Sequence, residues 1–177
     1  MTEDDRPEPA TIPPVRALFV LMGLAVALAG YLLLAHLLGI GSAFAGILIV
    51  FYLFAIEGGA RRALPKAFLG ALGGLANGAL FAVWPGVAPD LTAVAGLLVV
   101  LGAVYCLLIG FAPILFNQAY MLVLTVVCVP SVLLEADFVG MLAAMLLSLV
   151  YFGSILWAID IATDRRSRVT SSMDETT

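Results

Sequence analysis

Charge is scarce in this chain. Only 11% of its 177 residues are Asp, Glu, Lys or Arg, against about 25% in soluble domains. None occurs from Ala17 to Ile56, Ala67 to Pro89, Leu91 to Leu134 or Phe138 to Ile159. A soluble core does not need charge-free runs of that length, whereas about 20 apolar residues of helix cross a bilayer core of about 30 Å. Histidine is nearly missing, His36 being the single one, and there are two cysteines, Cys106 and Cys128, both inside apolar runs. That excludes a disulfide framework and any metal-ligand spacing. No acid pair, nucleophile–base pair or metal cluster falls in the apolar interior, so neither an enzymatic activity nor a cofactor is expected. Gly73-Gly74 lacks the lysine of a phosphate-binding loop. Nucleic-acid binding has no basic surface to rest on.

What the chain has is apolar mass. Hydrophobic residues make up 63%, and the mean hydropathy is +1.15. The first run contains Ala25, Ala27 and Ala29, which resemble a signal-cleavage site. The segment before it is acidic, however (Glu3, Asp4, Asp5, Glu8), and the run continues to Leu38. A retained first helix is therefore expected.

The pattern predicts an all-α polytopic membrane protein with six transmembrane helices in one bundle, at about 16–38, 42–60, 64–84, 91–112, 114–134 and 137–161. Turn residues separate them: Gly39-Ile40-Gly41-Ser42, Gly58-Gly59, Pro85 to Asp90, Phe111-Ala112-Pro113 and Glu135-Ala136-Asp137. The expected organisation is a disordered acidic tail over 1–14, a transmembrane domain over 15–163 and a disordered polar tail over 164–177. Under this count all eight basic residues (Arg6, Arg16, Arg61, Arg62, Lys66, Arg165, Arg166, Arg168) fall on one side. The opposite turns hold only acids: Asp90, Glu135 and Asp137. By the positive-inside rule that side is cytoplasmic and holds both termini, and losing or gaining one internal helix breaks the agreement. Trp84 and Trp157 fall near opposite faces, as belt residues do.

Few residues in this frame can carry specificity. Gly70, Gly74 and Gly78 share one helix face and invite close approach by another helix, with Asn77 beside them near mid-membrane. Packing within the chain is the plainer reading; a subunit interface or pore-lining face is the functional one. Glu57 lies fifteen residues past Ser42, about 22 Å along a helix, which places it shallowly inside the inner leaflet. An intramembrane carboxylate is by default a functional candidate; the plainer reading pairs it with Arg61 one turn on. Asp160 ends the last run in a similar way. If the second and last helices are neighbours, Glu57 and Asp160 converge at the inner mouth with Asn117 and Gln118. Thr125 and Ser148 lie near the midplane.

The stretch from about Leu34 to Val83 also resembles a family of small bacterial inner-membrane proteins classed only as a domain of unknown function. The residues that carry the resemblance are Leu37 to Gly46 and Phe54-Ala55-Ile56-Glu57-Gly58-Gly59-Ala60-Arg61-Arg62, an aromatic-rich helix ending in a Gly-Gly pair before a basic loop. Ala43 stands where that family often has tryptophan. The resemblance implies a bacterial inner membrane and about this helix count, and brings no activity with it. Two functional readings stand. One is passive permeation of a small neutral solute through an oligomer, which requires a continuous polar path through Asn77, Thr125 and Ser148. The other is a non-transporting membrane subunit acting through helix packing, in which those residues are satisfied and dry. The partners expected are the lipid bilayer and further copies of the chain, with no solute identified.

Overall fold

The computed structural model describes residues 14–87 and 92–174, and among them every regular element is helical. In chain order these are α1 (Pro14–Leu37), α2 (Phe44–Ala55), a 3-10 turn (Arg61–Ala63), α3 (Leu64–Val87), α4 (Thr92–Leu108), α5 (Gln118–Val127), α6 (Pro130–Leu134) and α7 (Phe138–Asp174). Three helices are long and apolar enough to cross a membrane, over Leu18–Leu37, Arg61–Trp84 and Phe138–Thr163; three shorter apolar helices accompany them. The expected tail over 1–14 lies outside the described residues except for Pro14, which opens α1, a position where its missing N–H costs nothing.

Several boundaries differ from the sequence expectation, each for a local reason. The second helix, expected over 42–60, stops at Ala55 because Gly58 and Gly59 take positive φ (61° and 76°) and turn the chain. The fourth, expected to reach residue 112, stops at Leu108. Gly110 (φ 68°) there closes a Schellman motif, with Phe111 N–H donating to Cys106 O (2.9 Å) and Gly110 N–H to Leu107 O (3.3 Å). The fifth, expected as one span over 114–134, is two pieces. Asn117 caps α5 at its start, and Pro130 forces Val129 out of the helical region (φ −63°, ψ 126°) before α6 begins. The last helix runs on through Asp174, beyond its expected end at 161 and through most of the stretch expected as a disordered tail. No proline or glycine from Ser154 to Asp174 interrupts it.

The core sits among α2, α3, α5 and α7. Ile49, Tyr52, Ala67, Ala71, Leu75, Val123, Val127, Ala144 and Met145 form one buried cluster there. Glycine faces set the spacing. A methyl group on Gly74 would lie 2.5 Å from the Tyr120 carbonyl oxygen and 3.0 Å from Leu124 N, while Gly70 meets the Asn117 side chain and Gly78 meets Val127. The helix that approaches the Gly70–Gly74–Gly78 face is therefore α5 of the same chain. That face is not left free as a subunit interface or pore lining.

On the other side of the core, Gly46 lets α2 meet α7, since a methyl there would stand 2.7 Å from Ala144 O. Ser148 Oγ donates to Gly46 O (3.0 Å) across this contact. The Tyr31 hydroxyl of α1 reaches both Ala43 O (2.9 Å) and Ala144 O (3.2 Å). Outside this core, α1 and α4 lie at the periphery. Phe19, Val26, Leu33 and Leu37 on α1 are exposed, as are Val94, Leu98, Leu101, Tyr105 and Leu108 on α4.

Candidate functional site

The end of the bundle that holds the described basic residues also gathers most of the sequence candidates. Here α2 ends, α3 and α5 begin, α4 ends and α7 carries Asp160. Glu57 lies in the loop between α2 and the 3-10 turn, outside the helices, with its side chain 26% exposed. Its Oε1 accepts from the Tyr52 hydroxyl (2.6 Å) and from Lys66 Nζ (3.1 Å). The tyrosine hydrogen bond, with the lysine ammonium adding to it, holds the Glu57 carboxyl below its ordinary pKa.

Arg61, the partner expected for Glu57, instead faces Asp160, Nη1 to Oδ2 at 3.7 Å. Both of those side chains are about half exposed, so the pair contributes little. The reason lies in the turn. The glycine pair ends α2 before Arg61, so the one-turn spacing of a continuous helix does not apply, and Lys66 on the first turn of α3 comes round to the carboxylate. Glu57 and Asp160 thus sit at the same end but in two separate ion pairs.

Asn117 proves to be a connector. Its Oδ1 caps α5 by accepting from Ala119 N (2.9 Å) and Tyr120 N (3.2 Å). Its Nδ2 donates to Lys66 O (2.9 Å) and Ile114 O (2.8 Å). All four of its hydrogen-bonding positions are filled, and it is buried. Gln118, the next residue, is exposed and makes no side-chain hydrogen bond among the described residues. A cleft of about 250 Å³ opens between these groups, lined by polar residues (Tyr52, Glu57, Lys66, Asn117 and Gln118) together with Leu107, Gly110, Pro113 and Phe116.

The midplane candidates are not part of it. The Asn77 amide donates to the Tyr120 hydroxyl, joining α3 to α5. Thr125 Oγ1 donates to Met121 O of its own helix (2.7 Å). Ser148 is 1% exposed and bonded as above. Thr125 lines a surface groove between α2 and α5 that neither Asn77 nor Ser148 reaches. Among the described residues no group of three or more His, Cys, Asp or Glu could hold a metal ion.

Sequence reasoning put Arg61 first and Lys66 only second as a cation for Glu57, and it missed Tyr52. The signal available was the glycine pair, which separates Glu57 from the helical register of Arg61. It also missed Tyr120, which lies three residues past Asn117, at the spacing that a capped helix start brings under the cap. No family model matches the chain, and no curated protein or solved structure matches it.

Proposed function

We propose that this chain is a multi-pass protein of the bacterial inner membrane with both termini in the cytoplasm, acting as a non-transporting membrane subunit through helix packing. The observation that carries this reading is the state of the three midplane polar residues. Asn77, Thr125 and Ser148 each have a partner inside the protein, and the groove that Thr125 lines includes neither of the other two, so the three do not form a continuous polar row. Permeation needs such a row; packing needs these groups satisfied.

Six passes are supported by the alternation of the chain between a basic and an acidic end. α5 and α6 together make the fifth pass. The 12 residues of α2 span only about 18 Å and the 10 of α5 about 15 Å, less than a bilayer core. Non-helical backbone is tolerated at membrane depth where protein covers it, and the buried Ser42 and Asn117 stand at those two helix starts. The proposed kinship with the inner-membrane family of unknown function rests on the sequence resemblance over Leu37 to Gly46 and Phe54 to Arg62. The exposed apolar faces of α1 and α4 are the surfaces left for lipid, a second copy or another membrane subunit.

Two experiments test the reading. Topology reporters fused after Gly86, Glu135 and Thr177 should read periplasmic, periplasmic and cytoplasmic; a periplasmic report at Thr177 would sink the six-pass arrangement. Liposomes containing the purified protein should swell in a panel of small neutral solutes no faster than protein-free ones. Solute-selective swelling that Asn77→Leu abolishes would instead establish permeation.

A further inference from the structure

The cleft beside Glu57 has chemistry that the packing role does not use. The two ionised groups that line it, Glu57 and Lys66, lie 3.1 Å apart and offset each other, with Arg62 adding positive charge near Glu57. A ligand of either single sign would meet a like charge in the lining, Glu57 for an anion and Lys66 for a cation. Each group nevertheless keeps capacity. Both hydrogen bonds to Glu57 go to Oε1, leaving Oε2 without a partner among the described residues. Lys66 has three donors and uses one on Glu57, with its side chain 41% exposed. The exposed Gln118 amide adds free donors at the same cleft. Tyr52, 1% exposed, fixes the carboxylate from behind.

Leu107, Pro113 and Phe116 give the same cleft an apolar lining. The loop that carries Pro113 and Phe116 has strained backbone: Ala112 has φ 44°, the single non-glycine residue with positive φ among those described. Its carbonyl accepts from Leu115 N (2.8 Å) and Phe116 N (3.0 Å), fixing the loop that presents Phe116. Strain of this kind persists where surrounding structure enforces it, and it gathers at ligand clamps. A cleft that shares one free carboxylate oxygen, free ammonium and amide donors and an apolar part of its lining is complementary to a small zwitterion with an apolar attachment.

We propose that the cleft between the α2–α3 and α4–α5 loops binds an aminoethyl phosphate, with the primary ammonium on Glu57 Oε2 and the phosphate on Lys66 and Gln118. The shared chemistry is the zwitterion, carried either by phosphatidylethanolamine, whose apolar part would lie along Leu107, Pro113 and Phe116, or by free phosphoethanolamine. Phosphatidylglycerol lacks the ammonium. Phosphatidylcholine has a quaternary nitrogen with no N–H to give the carboxylate.

Native mass spectrometry of the delipidated protein in mild detergent, with each of the three lipids added at equal concentration, tests this directly. Phosphatidylethanolamine adducts should exceed those of the other two by about tenfold, the ratio expected for loss of one charge-assisted contact. Gln118→Ala, at an exposed residue outside every side-chain hydrogen bond described, should fold normally and weaken retention several-fold; Glu57→Gln should remove the preference for the primary amine. Free phosphoethanolamine in a thermal-unfolding assay separates the sources. Stabilisation of wild type that Gln118→Ala loses assigns the site to the soluble compound, and its absence alongside lipid selectivity assigns it to the headgroup. Equal retention of the three lipids together with no response to phosphoethanolamine overturns the proposal, as does selectivity that survives both substitutions.

Discussion

Replacing Gly74 with alanine sets two effects of opposite sign against each other, and the geometry decides between them. In an open helix the change is favourable, because alanine is a better helix former by about 0.8–1.0 kcal/mol. At Gly74 the new methyl would stand 2.5 Å from Tyr120 O, 3.0 Å from Leu124 N and 3.2 Å from Val123 Cβ. Comfortable contact needs about 3.5 Å, so α3 and α5 must separate by roughly an ångström at this point. Two of the three obstacles are backbone atoms, which no rotamer change can move. Overpacking of this kind costs about 1–3 kcal/mol, so the net effect should be a loss of about 0–2 kcal/mol once the propensity gain is subtracted.

Gly102 on α4 provides the control, since nothing lies within 4 Å of a methyl built there. Gly102→Ala should be neutral or stabilising by up to about 1 kcal/mol. Both variants can be compared with wild type by denaturant titration in mild detergent, following near-ultraviolet circular dichroism. If Gly74→Ala is as stable as Gly102→Ala, the close approach of α3 and α5 is wrong. Gly74→Leu extends the series and should prevent folding or expose the α5 face to self-association, visible as a change in detergent-complex size.

Two further predictions concern the basic end. Asn117→Ala removes a helix cap worth about 1 kcal/mol and two tethers worth roughly 1 kcal/mol each. The variant should therefore lose about 3 kcal/mol in the same titration, and Asn117→Ser, which keeps a capping oxygen, should fall between it and wild type. For Glu57, whose carboxyl is held below its ordinary pKa by Tyr52 and Lys66, the stabilisation is fully present above the unfolded-state pKa. It is lost as pH falls through the lower folded-state value. Melting temperatures from pH 7 down to 3 should show this acid-side loss in wild type. The loss should be smaller in Tyr52→Phe, absent in Glu57→Gln and unchanged in Arg61→Ala.

The sequence made some of this arrangement legible and hid the rest, and the division has a physical cause. Apolar runs and glycine turns announce helices because the signals are local. The Gly70–Gly74–Gly78 face was readable for the same reason: spacing of four fixes one side of a helix whatever lies opposite. What lies opposite is a tertiary fact, and nothing in those glycines names α5. Helix ends were misjudged wherever hydropathy outlasted the helix. Residues 114–117 and 128–134 are as apolar as a spanning segment allows. The break comes from a cap at Asn117 and from Pro130, signals of one residue each that a hydropathy window averages away. The pairing of Glu57 failed in a related way, because the expectation for Arg61 assumed a helical register that Gly58 and Gly59 cancel.

The polar residues inside the apolar regions argue together for the packing role. Tyr31 ties α1 to α7 and to the start of α2, Ser148 ties α7 to α2, and Asn77 with Tyr120 ties α3 to α5. Each crosses between elements that already approach closely, at Gly46 for α2 and α7 and at Gly74 for α3 and α5. Close backbone approach excludes lipid from these contacts, and a polar side chain placed there finds a carbonyl or hydroxyl partner. A permeation path would need the reverse, polar groups facing an open lumen with helices held apart by larger side chains. Small residues and cross-helix hydrogen bonds concentrate along the same two seams, so the bundle's polar chemistry goes into holding its four central helices together. At the basic end, Glu57 Oε2, Lys66 and the exposed Gln118 keep hydrogen-bonding capacity that this packing does not use.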